Sequence, residues 1–324
     1  TRAAARLPTG PVPPVGPGAS SHRIAVIDGV PTHWWEYGAR HQNDATGAPE
    51  GTLVLVHGFR GTHEGLAQIA AAASRQLPDW SIVVPALPGF GRSPAPAGGC
   101  TDAGYGAWLA GFCGRIVEPE RPFVLLGHSF GSIVAAFGLQ RGLGPDALVL
   151  VNPISQSALE GPNRLGTQAA IGLYAAAARL PQRAAAAVLS APPVVRVMSE
   201  VMAKTRDREL RRWIHRQHAQ YFSRFSSARD VLDAFRTSCE HTVAEAREQL
   251  GLPVLMLCGE RDDIVNPDAQ RAFAATLPDV ELRLYPGVGH LVHYEAPQAA
   301  ADETGAFIRR RVVAPDAASQ GIAR

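Results

Sequence analysis

The segment LLGHSFGSIVAAF, residues 125–137, places a serine between two glycines where the hydrophobic pattern changes. The residues before the serine form a continuous apolar run, which is typical of a strand buried on both faces, and those after it fit a helix. Gly127 and Gly131 flank Ser129 and indicate a backbone that leaves no room for side chains. The junction therefore predicts a sharp turn that lifts Ser129 above the end of the strand.

Apolar strands alternate with helical stretches on both sides of this junction. Strands are predicted at 52–58, 81–87, 122–127, 146–152, 253–259 and 280–286, and helices at 66–77, 105–117, 133–140, 267–277 and 298–311. A hairpin made of RIAVIDG and THWWEY precedes them. Continuous Val and Leu runs separated by helices indicate parallel strands covered on both faces. The predicted fold class is therefore α/β, with a doubly wound, mostly parallel sheet.

The alternation is interrupted once, by a long stretch rich in Ala and Arg that contains no buried-strand pattern. We interpret it as a helical cap inserted over the carboxyl edge of the sheet. The predicted parts of the chain are a flexible Pro- and Gly-rich arm (1–21), the core (22–153 and 250–312), the cap (154–249) and a tail (313–324).

The composition is that of a globular protein with a balanced charge. Lys and Arg number 31 against 29 Asp and Glu, so the net charge of +2 gives no case for a nucleic-acid partner. No run reaches the roughly 18 apolar residues of a membrane span. The scattered cysteines lack C-x-x-C spacing, which favours free thiols in a reducing compartment: Cys100, Cys113, Cys239 and Cys258. We expect a cytoplasmic protein whose partner is a small-molecule substrate, and we expect no cofactor; the oligomeric state and any preceding export signal are left open.

A serine hydroxyl is a poor nucleophile unless a base and an orienting carboxylate accompany it. Both are available after later predicted strands. LCGERDDIVNP (257–267) offers the adjacent carboxylates Asp262 and Asp263, and YPGVGHLVHYEAP (285–297) offers His290 and His293. The pattern G-x-S-x-G is frequent by chance, but a strand before it and a helix after it are the context expected of a nucleophile elbow.

With these residues the chain resembles the α/β-hydrolase superfamily, in particular serine hydrolases with a helical cap. The likeness covers residues 22–312 and is carried by VHGF (56–59), LPGFGRS (87–93), GHSFG (127–131), GERDDIVNP (259–267) and GHLVHYEAP (289–297), in the order and spacing of the family. The resemblance implies roles for five residues: Ser129 as nucleophile, Asp262 as acid, His290 as base, and the backbone N–H groups of Phe59 and Phe130 as oxyanion hole.

Two alternatives to this set remain at neighbouring positions. Asp263 competes with Asp262, but Asp262 is the third residue after Gly259, and Asp263 would otherwise form a salt bridge or cap a helix. His293 competes with His290, which directly follows the glycine-rich loop. In one departure, Ala86 stands before LPG where relatives often carry Asp, a residue usually considered structural.

The other polar residues of the loops and of the cap carry weaker signals. His57 is expected to shape the oxyanion loop, whereas Arg60 and His63 either touch substrate or lie in a solvated loop. His215 and His218 lack further ligands at metal-binding spacing, so we expect no metal there. The sequence GFGRS lacks the Lys of a phosphate-binding loop.

The cap is expected to cover the active site with an apolar helix. One helical face is apolar and predicts packing onto the core: Leu210, Trp213, Ile214, Tyr221, Phe222 and Phe225. Beside it, an arginine run is interpreted as a solvated face: Arg206, Arg208, Arg211, Arg212 and Arg216. An apolar cap implies a hydrophobic pocket.

These features leave three hypotheses for the function. The first is a serine hydrolase that cleaves a carboxylic ester or lactone of a small to medium, largely apolar acyl compound. The second is a carbon–carbon bond hydrolase with the same triad, against which His128 counts because such relatives often carry Asn there. The third is a ligand-binding protein without turnover. Ser129 argues against dehalogenases and epoxide hydrolases of this fold, which use Asp as nucleophile.

Overall fold

The computed structural model describes residues 20–38, 49–96, 98–157, 159–162 and 164–314. Residues 1–19 of the predicted arm and 315–324 of the predicted tail lie outside these ranges. The first strand begins at Ser20, so the last two residues that the sequence assigned to the arm belong to the sheet.

The described residues form one sheet of eight strands in the order β1-β2-β4-β3-β5-β6-β7-β8. Its strands are β1 Ser20–Ile27, β2 Val30–Tyr37, β3 Gly51–Val56, β4 Trp80–Pro85, β5 Phe123–His128, β6 Ala147–Val151, β7 Val254–Gly259 and β8 Val280–Tyr285. In the hairpin, β1 pairs antiparallel with β2, and β2 pairs antiparallel with β4. All pairs from β4 to β8 are parallel. The predicted fold class is confirmed.

Helices cover both faces of the sheet. They are α1 His63–Gln76, α2 Asp102–Ile116, α3 Phe130–Gln140, α4 Arg164–Ala177, α5 Gln182–Leu189, α6 Pro192–Met202, α7 Arg208–Tyr221, α8 Ala228–Glu240, α9 Pro267–Ala274, α10 Val292–Glu295 and α11 Pro297–Ile308. Along β3, Leu53 and Leu55 pack with α1 and α11, whereas Val54 and Val56 pack with α2 and α3. Successive strand residues point to opposite faces, so a fully apolar strand fills two cores.

Helices α4 to α8 and a 3₁₀ segment, Val243–Gln249, lie between β6 and β7. We call residues 152–253 the insertion. The apolar face predicted from Leu210 to Phe225 is only partly a helix face, because α7 ends at Tyr221. Phe225 instead forms an isolated β-bridge with Phe90 of the core. Trp213 packs edge-on against Tyr294 at 5.1 Å between ring centroids, so α7 does contact the core.

No single helix in the described ranges is long and apolar enough to cross a bilayer, although the bent pair α5 and α6 meets the length and composition criteria together.

Candidate active site

Ser129 occupies a strained turn between β5 and α3. Its φ of 52° and ψ of −119° lie in a region that L-residues rarely adopt. A Cβ on Gly127 would come within 2.6 Å of the Gly131 carbonyl oxygen, and one on Gly131 would run into the Val56 carbonyl. The two glycines therefore let β5, the turn and β3 approach more closely than any other residue would permit, as the sequence predicted.

The turn places Ser129 beside a histidine and a carboxylate from distant parts of the chain. The Oγ of Ser129 lies 2.8 Å from Nε2 of His290. The other ring nitrogen of His290, Nδ1, lies 2.8 Å from Oδ2 of Asp262. Ser129 follows β5, Asp262 follows β7 and His290 follows β8, so the carboxyl ends of parallel strands in one sheet bring all three side chains together. This geometry allows the serine proton to pass to an imidazole whose other side faces a carboxylate.

Asp262 is held by donors on both of its oxygens. The backbone N–H groups of Ile264 and Val265 donate to Oδ1 at 2.8 and 3.3 Å. Nδ2 of Asn152 donates to Oδ2 at 2.9 Å. Because the carboxylate is 3% exposed, these bonds replace the water that would otherwise orient it. Asn152 follows β6 and has a φ of 44°. The sequence analysis did not identify it, and the one sequence feature that marks it is that a polar residue ends an apolar strand.

Glu295 is a second residue that the sequence did not single out. Its carboxylate accepts the backbone N–H of Gly289 at 2.9 Å, and those of Lys204 and Thr205 at 2.7 and 3.0 Å. Burial raises the pKa of Glu295, and the three amide bonds oppose that shift. Glu295 thus fixes the loop before His290 against the insertion.

The two rival residues lie elsewhere. Asp263 pairs with the ammonium group of Lys204 at the surface. The ring of His293 lies 4.0 Å from that of His128, and its buried Nδ1 has no hydrogen-bond partner among the residues that the structure describes. The structure thus brings Asp262 and His290, rather than their neighbours, to Ser129.

His57 and His128 are buried supports of the loops around the serine. The Leu87 N–H donates to Nε2 of His57 at 3.0 Å, so Nδ1 carries the proton and donates to the Gly58 carbonyl at 2.9 Å. Nε2 of His128 donates to the His290 carbonyl at 3.3 Å. Burial lowers the pKa of His57 to about 4 and that of His128 to about 3, so both rings are neutral at physiological pH.

A second group of buried histidines lies in the insertion. The Ser199 hydroxyl bridges Nδ1 of His215 at 2.6 Å and Nδ1 of His218 at 2.7 Å. Burial lowers the pKa of His218 to about 3. Burial also lowers the pKa of His293, which lies outside the insertion in α10, well below its usual value. Within the described ranges, no group of three or more His, Cys, Asp or Glu side chains is arranged to hold a metal ion.

The loops that carry the expected oxyanion donors meet beside Ser129. Helix α3 begins at Phe130, so its free N-terminal amides lie at the serine. On the other side, a Cβ on Gly58 would lie 3.2 Å from the Ser129 Cβ. The amide of Phe59 is the next one along that loop.

Arg60 and His63 correspond to neither interpretation offered by the sequence, because neither lines the cavity and neither lies in a solvated loop. Arg60 is 1% exposed and donates to the carbonyls of Phe222 and Leu189 in the insertion. His63 stacks on Trp35 at 3.3 Å between ring centroids and contacts Glu64 at 2.9 Å.

Ser129 and His290 open into a cavity of about 590 Å³ between the sheet edge and the insertion. Its walls come from helices α4 and α6 and from aromatic side chains that include Phe59, Tyr174 and Phe235. Among the described residues, no Asp, Glu, Lys or Arg lines it. A substrate in this space meets apolar groups and a few neutral polar ones.

The turn at Ser129 predicts a sharp difference between two Gly→Ala variants. In Gly131→Ala the new methyl meets the backbone of Val56 and His57, which cannot move aside, so we expect a loss of about 3 kcal/mol or more of unfolding free energy, or no soluble protein. Gly172→Ala, in open space on α4, should be neutral or stabilising by about 0.5–1 kcal/mol. Urea denaturation of both variants measures this; equal stability would contradict the crowding.

The buried histidines predict a loss of stability on mild acidification. His57, His128, His218 and His293 stay neutral in the folded protein but take up protons near pH 6.5 once unfolded. The unfolded state therefore binds more protons below that pH, and stability should fall from about pH 6.5 to about pH 4, with about three to four extra protons taken up at pH 5. Urea midpoints across this range test it. His293→Phe should remove about one proton of the uptake, and a flat profile would contradict the assignment.

Comparison with known proteins identifies the family. At 27% identity over 79% of this chain, the sequence aligns with 92% of a 2-succinyl-6-hydroxy-2,4-cyclohexadiene-1-carboxylate synthase from Serratia proteamaculans. Similar solved structures include a thermophilic esterase from Thermogutta terrifontis, with a TM-score of 0.67 and 20% identity over 89% of this chain and 98% of that one. Another is the esterase RhEst1 from Rhodococcus sp., with a TM-score of 0.66 and 21% identity over 90% and 99% of the two chains. The sequence profile of the alpha/beta hydrolase family matches residues 53–303, and the chain belongs to that family.

Proposed function

We propose that this protein is a serine hydrolase that cleaves a carboxylic ester or lactone of a largely apolar acyl compound through an acyl-enzyme. The observation that carries the proposal is the continuous contact from Ser129 through His290 to Asp262, at 2.8 Å for each step, beside an uncharged cavity. In this proposal the insertion acts as the cap over the substrate.

In the first half-reaction, Oγ of Ser129 attacks the acyl carbon while Nε2 of His290 takes its proton. The new bond places the carbonyl electron pair on the oxygen, where the amides of Phe59 and Phe130 would donate to it. Asp262 stabilises the imidazolium that forms. The tetrahedral adduct then collapses, and His290 donates the proton taken from Ser129 to the leaving alkoxide.

In the second half-reaction, water repeats the sequence of steps. His290 takes a proton from the water as its oxygen attacks the acyl carbon, and the adduct expels Oγ of Ser129, which regains the proton. A carboxylic acid leaves. No metal or redox group is needed for either half, because the nucleophile, the base and the donors all belong to the chain.

The cavity defines the substrate class more closely than the fold does. A buried carboxylate on a substrate would require a cation beside it, and no Lys or Arg lines the described cavity. The relative from Serratia proteamaculans bears a name that includes a carboxylate product. We therefore favour neutral, apolar acyl groups over a substrate of that charged kind.

The alternatives are weaker on particular residues. A carbon–carbon bond hydrolase with the same triad would need to bind a polar dienoate or diketone, for which this cavity offers few partners. A ligand-binding protein without turnover would have no use for Ser129 held in a strained backbone against His290. A screen of p-nitrophenyl esters of increasing acyl length tests the ester hydrolase against the other two.

Covalent labelling tests the nucleophile. A fluorophosphonate should modify Ser129, because its attack needs the same base and the same amides as ester cleavage. Mass spectrometry of the digested protein should place the label on that residue. Ser129→Ala should remove the label and leave the circular dichroism unchanged; a label on another serine, or one that persists in the variant, would contradict the proposal.

The two adjacent carboxylates provide a matched pair of variants. In Asp262→Asn the imidazole loses its charged partner, and kcat should fall by about 10³–10⁴-fold. In Asp263→Asn only a half-exposed pair with Lys204 is lost, so kcat should fall by less than about tenfold. Ester kinetics on both variants decide the matter. Reversed magnitudes would mean that Asp263 supports the base.

A further inference from the structure

Arg60 lies in the tight turn that presents the amide of Phe59. The turn runs from Gly58 to Gly61, with the Gly61 N–H donating to the Gly58 carbonyl at 2.9 Å. Arg60 is its third residue and has a φ of 55°, a position where glycine is the usual choice. A bulky residue there carries backbone strain, so its side chain must supply something that glycine lacks.

The side chain of Arg60 reaches into the insertion and joins several of its helices. Its guanidinium nitrogens donate to the Leu189 carbonyl and the Phe222 carbonyl, each at 2.8 Å, to the Tyr174 hydroxyl at 3.1 Å, and to Sδ of Met198 at 3.8 Å. These acceptors belong to α4, to the end of α5, to α6 and to the residue after α7. One side chain from the core thus holds four parts of the insertion.

The charge of Arg60 is unusual for its surroundings. The residue is 1% exposed and its guanidinium lies 5.7 Å from the centroid of the Phe225 ring, but within the described ranges no carboxylate lies at ion-pair distance from it. An apolar side chain would fill the same space without the cost of burying a cation. What the guanidinium adds is a rigid fork of donors, which fixes direction as well as distance.

We propose that Arg60 is a positioning residue that fixes the Phe59 amide in register with the insertion. The inference rests on the proposed hydrolase function. Phe59 is covalently next to Arg60, and its ring packs against Tyr174 at 6.0 Å and Phe235 at 5.7 Å between centroids. Both the backbone and the ring of Phe59 are therefore held by the insertion as well as by the core.

The same acceptors face the substrate. Tyr174, Met198 and Phe222 all line the cavity, so an acyl chain that fills it presses on the groups that hold Arg60. Contacts between the acyl chain and these side chains, far from the reacting carbon, then determine the position of the Phe59 amide. That position affects kcat rather than KM.

The test uses Arg60→Gly and Arg60→Lys in the full chain. Glycine relieves the backbone strain and removes only the side chain, so a fall in activity reports the guanidinium. We expect kcat on the best p-nitrophenyl ester to fall by about 10–100-fold with KM within about twofold, because the donor is displaced but not deleted. Affinity for hexylboronic acid, which forms a tetrahedral adduct on Ser129, should fall by the same factor. Lysine should not restore either quantity.

Two further variants keep the test decisive. Arg224→Met, which removes an exposed arginine that stacks on Tyr221, should leave kcat and boronate affinity unchanged. If Arg60→Gly does not fold, Tyr174→Phe removes one acceptor conservatively, and kcat should fall a few-fold with KM unchanged. If Arg60→Gly folds with unchanged kcat and boronate affinity, the inference is wrong and the proposed function stands. If Arg60→Gly does not fold, the same result in Tyr174→Phe has the same consequence. A wild-type protein that neither cleaves esters nor reacts with fluorophosphonate overturns the proposed function, and the inference with it.

Discussion

The contact between the turn at Ser129 and the backbone of β3 is the constraint on which the site depends. Gly131 lies so close to the Val56 carbonyl that no side chain fits between them. That contact fixes where α3 begins and which way its first amides point. Two hydrogen bonds stabilise the strained turn. The Ser129 N–H donates to the Val151 carbonyl at 3.0 Å, and the Ser132 hydroxyl donates to the Ser129 carbonyl at 2.6 Å. The unusual backbone is thus supported by both neighbouring strands.

The polar groups around Ser129 are buried, and their hydrogen-bond partners fix their orientation. Backbone amides and Asn152 surround Asp262 and favour a carboxylate that only accepts. His57 and His128 have one tautomer each, because a backbone donor or acceptor selects it. Neutral histidines near His290 leave Asp262 as the charged group in contact with it, so the field at the imidazole comes mainly from one side.

The insertion gives this common fold its particular character. It closes a cavity over Ser129 that no Asp, Glu, Lys or Arg of the described ranges lines, and Arg60 joins the insertion to the loop that carries Phe59. A core of this kind can host many chemistries, since the sheet supplies only the strand ends. Under the proposed function, the choice among substrates therefore depends on the walls that α4 and α6 provide, where Tyr174 and Met198 line the cavity and also accept hydrogen bonds from Arg60.

Local pattern determined much of this protein. Runs of apolar residues located the parallel strands β3 to β7, because strands buried on both faces read as continuous hydrophobic sequence, and the two glycines located the elbow. The choice of Asp262 and His290 as partners of Ser129 came from the resemblance to the α/β-hydrolase superfamily, since the local pattern alone left Asp263 and His293 open. The sequence did not reveal Asn152 or Glu295, nor the burial of Arg60, nor the end of α7 before Phe225. Each of those depends on contacts between segments more than 60 residues apart, such as Arg60 with Phe222 or Asn152 with Asp262. The periodicity of hydrophobic residues in the sequence shows only which face of a helix or strand is covered. Which segment covers that face is decided by the tertiary structure.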